Sequence, residues 1–211
     1  PRVWDNTNLE SSEFLVPGLI GFLLMVIGAV STSLSVVREK ERGTLEQIVV
    51  RATRPGEFVV GKVLPYLVIM LLTEALIVLA AMGLFGMPLR GSVGWLLAAS
   101  VVYLLGGLGF GLLVSTLAET QQVAFQVAVL ATMLPSMILS DLIFPIASMP
   151  VPLQKLTWVV PARHFITILR SLILKGAGPE AWGLQLAILA AFATVVLTVA
   201  SLRLARRLRG G

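Results

Sequence analysis

Five long apolar runs constrain this chain more than any other feature of its sequence. Each is long enough to cross the hydrocarbon core of a bilayer, which takes about 20 helical residues. The runs are residues 14–37, 63–85, 93–117, 123–143 and 182–202. A backbone in lipid must satisfy its own hydrogen bonds, and no run alternates polar and apolar residues as barrel strands do. The sequence therefore predicts an all-α membrane protein, a polytopic helical bundle with five spans.

The composition supports a lipid-embedded chain and narrows the possible chemistry. Hydrophobic residues make up 57% of the chain and charged residues 13%, which leaves too little polar surface to coat a soluble globule. Cysteine is absent and His164 is the single histidine, so neither a disulfide framework nor a zinc site is expected. We expect no metal or cofactor in this chain, and the lipid bilayer is its first predicted partner.

The basic residues predict the orientation. Most of the 16 Lys and Arg residues fall in the loop 38–62 and in the tail after residue 202. The positive-inside rule therefore places this loop and the C-terminus in the cytoplasm and residue 1 outside. Residues 1–13 begin without Met or a signal peptide, so we interpret them as the end of an external region in a longer protein.

One stretch, RPGEFVVGKV at residues 54–63, resembles the GxxxxGK phosphate loop of nucleotide hydrolases. Val63 replaces the Ser or Thr that binds magnesium, and Glu57 places a carboxylate where phosphate would lie. We therefore predict no catalytic site here. Pro55 and Gly56 are expected to form a turn, and Lys62 to extend to the membrane interface.

The loop 38–62 also predicts a short amphipathic helix. Thr44 and Gln47 fit a capping box, and Pro55 is expected to end the helix. Its apolar stripe consists of Leu45, Ile48, Val49 and Ala52. A two-turn helix is marginal alone in water, so its stripe must lie on the membrane surface or in a protein groove. Periodicity leaves both open.

Charges of both signs precede this helix in the sequence REKER, residues 38–42. Mixed signs are typical of ion pairing with a partner protein, whereas a lipid-binding patch is more uniformly basic. The alternative is a solvated loop whose charges only keep it in water.

The segment 144–181 contains four prolines within residues 145–161, which exclude a straight spanning helix, yet it is too apolar for an ordinary loop. We predict short re-entrant helices that dip into the outer leaflet and are buried in protein or line a cavity. The alternative is an interfacial anchor formed by Trp158, His164 and Phe165.

Two carboxylates lie in predicted spans. Glu74 is a candidate for a transport role, because acids inside a membrane are costly. The alternative is an interhelical hydrogen bond, with Thr73 or with a Ser of another helix. Asp141 lies near the outer end of a span, where it is either interfacial or functional. In GGLGFG, Gly107 and Gly111 form a GxxxG pattern suited to close helix packing.

Three blocks carry a family resemblance: REKERGTLEQ, then RPGEFVVGKVLPY, then LIFPIASMPVPLQKLTWVVPARHFITILRSLILKG. From about residue 3 to its end the chain resembles the permease subunit of type 2 ATP-binding-cassette (ABC) transporters, a bacterial export family with efflux members. It departs from that pattern at Arg51-Ala52, which replace a common Thr-Pro, at Gly56, where an aromatic is frequent, and at Asp141, a position usually small and uncharged.

The resemblance implies six membrane helices in the full protein, the first of them upstream of this chain. It also implies a coupling helix that docks on a separate ABC ATPase subunit, which binds ATP and Mg. A second permease copy or a paralogue would complete the assembly in the bacterial inner membrane, with no role for nucleic acid. The implied docking residues are Arg38, Glu39, Glu41, Arg42, Gly43, Thr44, Leu45, Glu46, Ile48 and Val49. The implied external gate contains Phe144, Pro145, Trp158, Pro161, His164 and Phe165.

Two other classes of function stay open at this point. An autonomous channel or secondary transporter would need charged or broken midplane helices, and Glu74 and Pro65 fit that description. A non-transporting membrane assembly factor would share the docking loop without a continuous pathway.

Overall fold

The computed structural model describes residues 7–43, 55–144 and 146–209, and within these ranges every regular element is helical. The α-helices are α1 (Thr7–Glu41), α2 (Pro55–Phe85), α3 (Val93–Leu117), α4 (Gln121–Ile138), α5 (Val151–Leu156), α6 (Pro161–Ile173) and α7 (Gly183–Arg209). Short 3-10 turns lie at Ile146–Ser148, Thr157–Val159 and Pro179–Ala181. Five of the helices, α1 to α4 and α7, are long and apolar enough to cross a membrane. This confirms the predicted all-α polytopic bundle.

Helix α1 continues past the predicted span and ends at Glu41. The amide of Gly43 donates to the carbonyl of Lys40 at 3.2 Å, and Gly43 adopts a left-handed φ of 67°. A glycine in this conformation is a common helix terminator, since it has no Cβ to clash. Residues 38–41 therefore form the last helical turn, whereas the sequence placed them in a loop.

Helix α2 begins at Pro55, so the turn predicted at Pro55 and Gly56 is wrong. Proline suits the first position of a helix, where no amide hydrogen is needed. Glu57 lies in the first turn, as expected for an acid near the positive end of the helix dipole. Because Gly61 and Lys62 lie inside this helix, the GxxxxGK stretch is not a phosphate loop.

Helix α4 ends at Ile138, five residues before the end predicted for its span, residue 143. The chain reverses at Asp141, whose φ is 69° and whose Oδ1 accepts a hydrogen bond from the amide of Ile146 at 3.0 Å. Asp tolerates the left-handed conformation because its short side chain bonds locally. The helix thus ends at Ile138 although the residues after it are still largely apolar.

Helices α1 and α3 form the centre of the bundle. In their most apolar windows 56% and 61% of residues are buried, compared with 22% in α2, α4 and α7. Gly107 and Gly111 of α3 face α1, and a Cβ added to Gly111 would lie 2.2 Å from the carbonyl oxygen of Ala29. The backbones of α1 and α3 therefore touch, which confirms the close packing predicted from the GxxxG pattern.

Helix α6 is anchored against the same two helices. The ring of Phe165 stacks on that of Tyr103 in α3, with ring centroids 4.0 Å apart. The hydroxyl of Tyr103 in turn donates to the carbonyl of Gly21 in α1 at 2.6 Å. Eight residues of α6 are buried. The short helix is therefore part of the core and not a loosely attached loop.

Candidate functional sites at the two ends of the bundle

The five long helices alternate in direction, which gives the bundle two ends of different chemistry. We call the end formed by residues 38–43, the start of α2 and the connection 118–120 the charged end. The end formed by residues 86–92 and 139–182 is called the proline-rich end. Of the predicted docking residues, Arg38, Glu39, Glu41, Arg42 and Gly43 lie at the charged end. The others, Thr44, Leu45, Glu46, Ile48 and Val49, lie outside the described residues.

Glu39 and Lys62 form an ion pair between α1 and α2. The ammonium of Lys62 also lies 3.4 Å from the hydroxyl of Ser35, one turn earlier on the same face of α1. The two charged side chains are only 23% and 20% exposed. Lys62 therefore binds an acidic partner on the neighbouring helix. Its extension to the membrane interface stays a prediction.

Lys40 and Glu41 hold the connection between α3 and α4. Lys40 donates to the carbonyl of Ala118 at 2.7 Å and lies 3.2 Å from a carboxylate oxygen of Glu119. Glu41 accepts from the backbone amide of Gln121 at 2.7 Å and also from its side-chain amide. An acid at the first amides of a helix is favourable, so Glu41 acts on α4 as an N-terminal cap supplied by α1.

We call Glu39, Lys40, Glu41 and Lys62, with their partners in residues 118–121, the charge clamp. Successive residues of a helix point about 100° apart. Glu39 reaches α2, whereas Lys40 and Glu41 reach the connection before α4. The sequence left the mixed signs at 38–42 to ion pairing with a partner protein or to a solvated loop, whereas Glu39, Lys40 and Glu41 have partners within the chain. Arg42 and Gly43 are exposed beside them. Docking by residues 38–43 stays a prediction.

Sequence reasoning missed Lys40, Lys62 and Gln121 as members of this site. The available signal was charge complementarity between short segments at the same end of the bundle, since Glu119 lies in a connection without any Lys or Arg. Which charges meet depends on helix rotation, which the sequence did not provide.

The predicted gate residues separate into two groups at the proline-rich end. Phe144 and Trp158 are 54% and 48% exposed, whereas His164 and Phe165 are buried. Pro161 is the first residue of α6, and Pro145 lies outside the described residues. The structure thus brings together only part of the predicted set, and a gate role for it stays a prediction.

His164 is buried and makes a contact inside the protein. Its Nε2 lies 2.9 Å from the carbonyl oxygen of Trp158, and burial lowers the pKa of the imidazole below its ordinary value. The ring is therefore neutral at pH 7, and its Nε2–H donates to that carbonyl. Because His164 and Phe165 point into the protein, the interfacial anchor proposed from the sequence is wrong for both residues. Trp158 is exposed, and the guanidinium of Arg163 lies 4.7 Å from its ring centre.

Asp141 connects the end of α4 to α6. Its Oδ2 accepts from the guanidinium of Arg170 at 2.6 Å, and its backbone carbonyl accepts from the same group at 3.0 Å. The two side chains are 30% and 15% exposed. The carboxylate that departs from the family pattern therefore fixes α6 against the reversed chain after α4. A functional role for it beyond this contact stays a prediction.

Glu74 is 4% exposed and lies on α2 facing α3. Its Oε1 lies 2.5 Å from the hydroxyl of Ser100, so the contact to a Ser of another helix that the sequence suggested is present. Thr73 instead bonds the carbonyl of Ile69 in its own helix. Among the described residues Oε2 has no hydrogen-bond partner, and an apolar groove of about 250 Å³ adjoins Glu74 between α2 and α3. A transport role for Glu74 stays open.

The described part of the chain contains no group of three or more His, Asp or Glu side chains that could hold a metal ion. Six charged side chains at the two ends instead pair with each other or with backbone groups, namely Glu39, Lys40, Glu41, Lys62, Asp141 and Arg170. What this arrangement can do chemically is to bind and orient helices.

Comparison with known proteins identifies the group to which the sequence is similar. The sequence profile described as ABC-2 family transporter protein matches residues 3–202. The "Probable multidrug ABC transporter permease YbhS" of Escherichia coli (strain K12) is 39% identical over 207 residues, which are 98% of this chain and 55% of that protein.

Two further relatives extend the similarity, one from the same bacterium and one from a eukaryote. The "Probable multidrug ABC transporter permease YbhR" of the same E. coli strain is 38% identical over 176 residues, 83% of this chain and 48% of that protein. "ABC transporter G family member 20" of Dictyostelium discoideum is 28% identical over 185 residues, 86% of this chain and 25% of that protein. The chain thus spans about half the length of the bacterial relatives it matches.

Proposed function

The chain belongs to the ABC-2 family of transporter proteins, and from this we propose that it is part of the permease subunit of an ATP-driven exporter. The observation that carries the proposal is the family match over residues 3–202, nearly the whole chain. In this proposal the chain itself has no catalytic site, and a separate ABC ATPase subunit binds ATP and Mg and hydrolyses the nucleotide.

We place the ATPase at the charged end. Residues 44–52 lie between α1 and α2 in the sequence, and the charge clamp joins the end of α1 to the start of α2. Leu45, Ile48 and Val49 would supply apolar contacts to the ATPase. The excess of Lys and Arg supports a cytoplasmic location for this end and for the C-terminus, in a bacterial inner membrane.

The proline-rich end would then form the external gate. α5 and α6 are short helices in the predicted re-entrant segment, and exposed Phe144 and Trp158 are available to contact another subunit. We propose that a second copy or a paralogous permease completes the pathway, with α1 and α4 next to it. Rigid attachment of α6 to α1 and α3 supports a gate that moves as one piece with the bundle.

The test is co-purification of the full-length permease with its suspected ATPase subunit at matched membrane expression. We expect wild type to bring down the ATPase and the variant Leu45→Asp plus Ile48→Asp to lose it, because a docking stripe cannot bury two carboxylates. The control is Leu153→Asp plus Leu156→Asp in α5, two exposed leucines at the opposite end, which should leave binding unchanged. Equal recovery with wild type and the 45/48 variant would contradict the proposal and favour an autonomous channel or secondary transporter.

A further inference from the structure

The apolar groove between α2 and α3 opens toward the outside of the described bundle. Its volume is about 250 Å³. The residues that form its floor, Val78, Leu96 and Ser100, are buried, whereas Leu79 and Leu97 at its rim are 63% and 54% exposed. A groove with a buried floor and exposed rims on both helices can receive a molecule that approaches from outside the bundle.

Glu74 is the single charged side chain among the described residues that line this groove. Its Oε1 lies 2.5 Å from the hydroxyl of Ser100, and its Oε2 is buried without a hydrogen-bond partner in the described part of the chain. The hydroxyls of Thr73 and Tyr103 donate to backbone carbonyls instead. The second carboxylate oxygen of Glu74 is therefore left to a donor from outside the described residues.

The unpaired oxygen and the apolar walls together determine which ligand suits the groove. A buried acceptor without a partner is destabilising, and more so when it is charged. An ammonium group supplies both N–H donors and the opposite charge, whereas an anion would meet a charge of its own sign. The volume of about 250 Å³ lies just below the range of about 300–1,000 Å³ for sites of drug-sized ligands. The matching ligand is a compact apolar molecule with one positive charge.

We propose that the groove between α2 and α3 binds a compact amphipathic monocation, with its ammonium on Oε2 of Glu74 and its apolar body against the leucine side chains of both helices. Because no hydrogen bond from the described residues holds Oε2, the carboxylate can turn this oxygen toward the ligand while Oε1 keeps its contact with Ser100. The inference goes beyond the proposed function, since the site needs neither the ATPase nor a second permease.

Two other occupants of the groove predict different behaviour. A lipid chain carries no charge to Glu74, so its binding would not depend on the carboxylate. Another part of the full-length protein would cover the groove and exclude any added ligand. A change in the charge of the ligand and a change in the charge of Glu74 therefore distinguish the three occupants.

The experiment uses the full-length permease in lipid nanodiscs, without the ATPase. The probe is tritiated phenylbutylamine, a compact alkylamine that is protonated at pH 7. Tritiated phenylbutanol, which lacks the positive charge, is the matched neutral ligand. Equilibrium binding is measured after subtraction of binding to empty nanodiscs. We expect saturable binding of the amine, at least about tenfold tighter than that of the alcohol, as is usual for a hydrogen bond to a charged group.

The first variant tests the ionic contact. Glu74→Gln keeps the size of the side chain and removes its charge. We expect it to weaken binding of the amine at least about tenfold and to change binding of the alcohol by less than about threefold. The unfolding midpoint is measured on the same preparations and should not fall, so a loss of binding reports the contact and not the fold.

A second pair of variants tests the location. Ala75 and Ala80 are both exposed on α2, but only Ala75 lines the groove. Ala75→Phe places a ring in the groove and should abolish binding of the amine. Ala80→Phe is the matched control and should bind the amine as wild type does.

The results that would overturn the inference are distinct. Equal binding of the amine by wild type and Glu74→Gln would remove the ionic contact, and equal binding of amine and alcohol by wild type would assign the groove to lipid chains. Unchanged binding in Ala75→Phe would place the amine elsewhere. No saturable binding to wild type would mean that the groove is covered in the full-length protein. None of these results depends on the ATPase, so co-purification tests the proposed function separately.

Discussion

At the scale of single residues, Gly111 has the least room for a side chain among the glycines of the described ranges. A Cβ there would lie 2.2 Å from the carbonyl oxygen of Ala29, and backbone cannot move aside as a flexible side chain does. We therefore expect Gly111→Ala to lower the stability of the full-length protein by about 1 to 3 kcal/mol, the usual cost of overpacking.

The measurement is the midpoint of thermal unfolding in detergent, with Gly107→Ala as the matched control. The nearest atom to a Cβ at Gly107 is the sulfur of Met25, 3.3 Å away at the end of a flexible side chain. That variant should lose less stability. Equal midpoints for the two variants would show that the contact between α1 and α3 is looser than described.

Replacement of Glu74 is expected to raise the stability of the protein, whereas replacement of Gly111 is expected to lower it. Burying a carboxyl group near the bilayer centre costs about 3 kcal/mol, and one hydrogen bond from Ser100 returns about 1 kcal/mol. We therefore expect Glu74→Leu to raise the unfolding midpoint. If transport falls while the midpoint rises, Glu74 has the transport role that the sequence left open. Unchanged transport would mean that Glu74 only forms the interhelical hydrogen bond. A lower unfolding midpoint would contradict this account.

The sequence indicated which residues are important better than it indicated which residues they contact. Glu74 was recognisable as a buried acid because it interrupts an apolar run, and a Ser on another helix was a natural partner. Lys62 was assigned to the membrane interface because lysine usually reaches water there. Its actual partner, Glu39, is 23 residues away across the segment 44–54, and only the rotation of α1 against α2 brings the two together.

At the scale of elements, the link between α4 and α6 depends on Asp141. Its carboxylate binds Arg170, and its backbone adopts a conformation that Asn and Asp tolerate better than Ala. We expect Asp141→Ala to lower the unfolding midpoint more than Asp141→Asn, because Asn keeps the local conformation and the acceptor for Ile146. The same thermal unfolding measurement applies. Identical losses would mean that the ion pair alone matters and the backbone conformation does not.

The limits of the elements show what periodicity and composition leave undetermined. The five spans were recognisable from the length of their apolar runs, yet α4 ends at Ile138 although the hydrophobic run continues. The end is set by the reversal at Asp141 and by its hydrogen bond to Ile146, neither of which changes hydrophobicity. At the other end of the bundle, α1 continues into charged sequence because Gly43 offers the first favourable termination.

At the scale of the whole molecule, the orientation can be tested directly. The chain has no cysteine, so single cysteines can be introduced at Arg42 and Val159, both exposed in the structure. In the full-length protein, with any other cysteines replaced, we expect a membrane-impermeant maleimide to label intact cells at position 159. Position 42 should react only after permeabilisation. The reverse pattern would invert the proposed topology, with the C-terminus outside.

The family and the bundle architecture could be predicted from the sequence because both depend on features repeated along the chain, namely long apolar runs and three characteristic blocks. The candidate sites could be predicted only in part. The mixed charges at 38–42 indicated ionic partners, and Glu39, Lys40 and Glu41 have such partners within the chain, whereas pairing with another protein stays a prediction. One interpretation placed His164 and Phe165 at the interface, although they face the core. In each case the deciding factor is the direction of a side chain within the assembled bundle.

The central claim is that ATP is hydrolysed by a partner and not by this chain. The most direct test is the rate of ATP hydrolysis by the purified full-length permease, alone and in complex with its ATPase subunit. We predict background hydrolysis for the permease alone and clear hydrolysis for the complex. Hydrolysis by the permease alone that Lys62→Ala abolishes would contradict the account, because it would make the GxxxxGK stretch a nucleotide site.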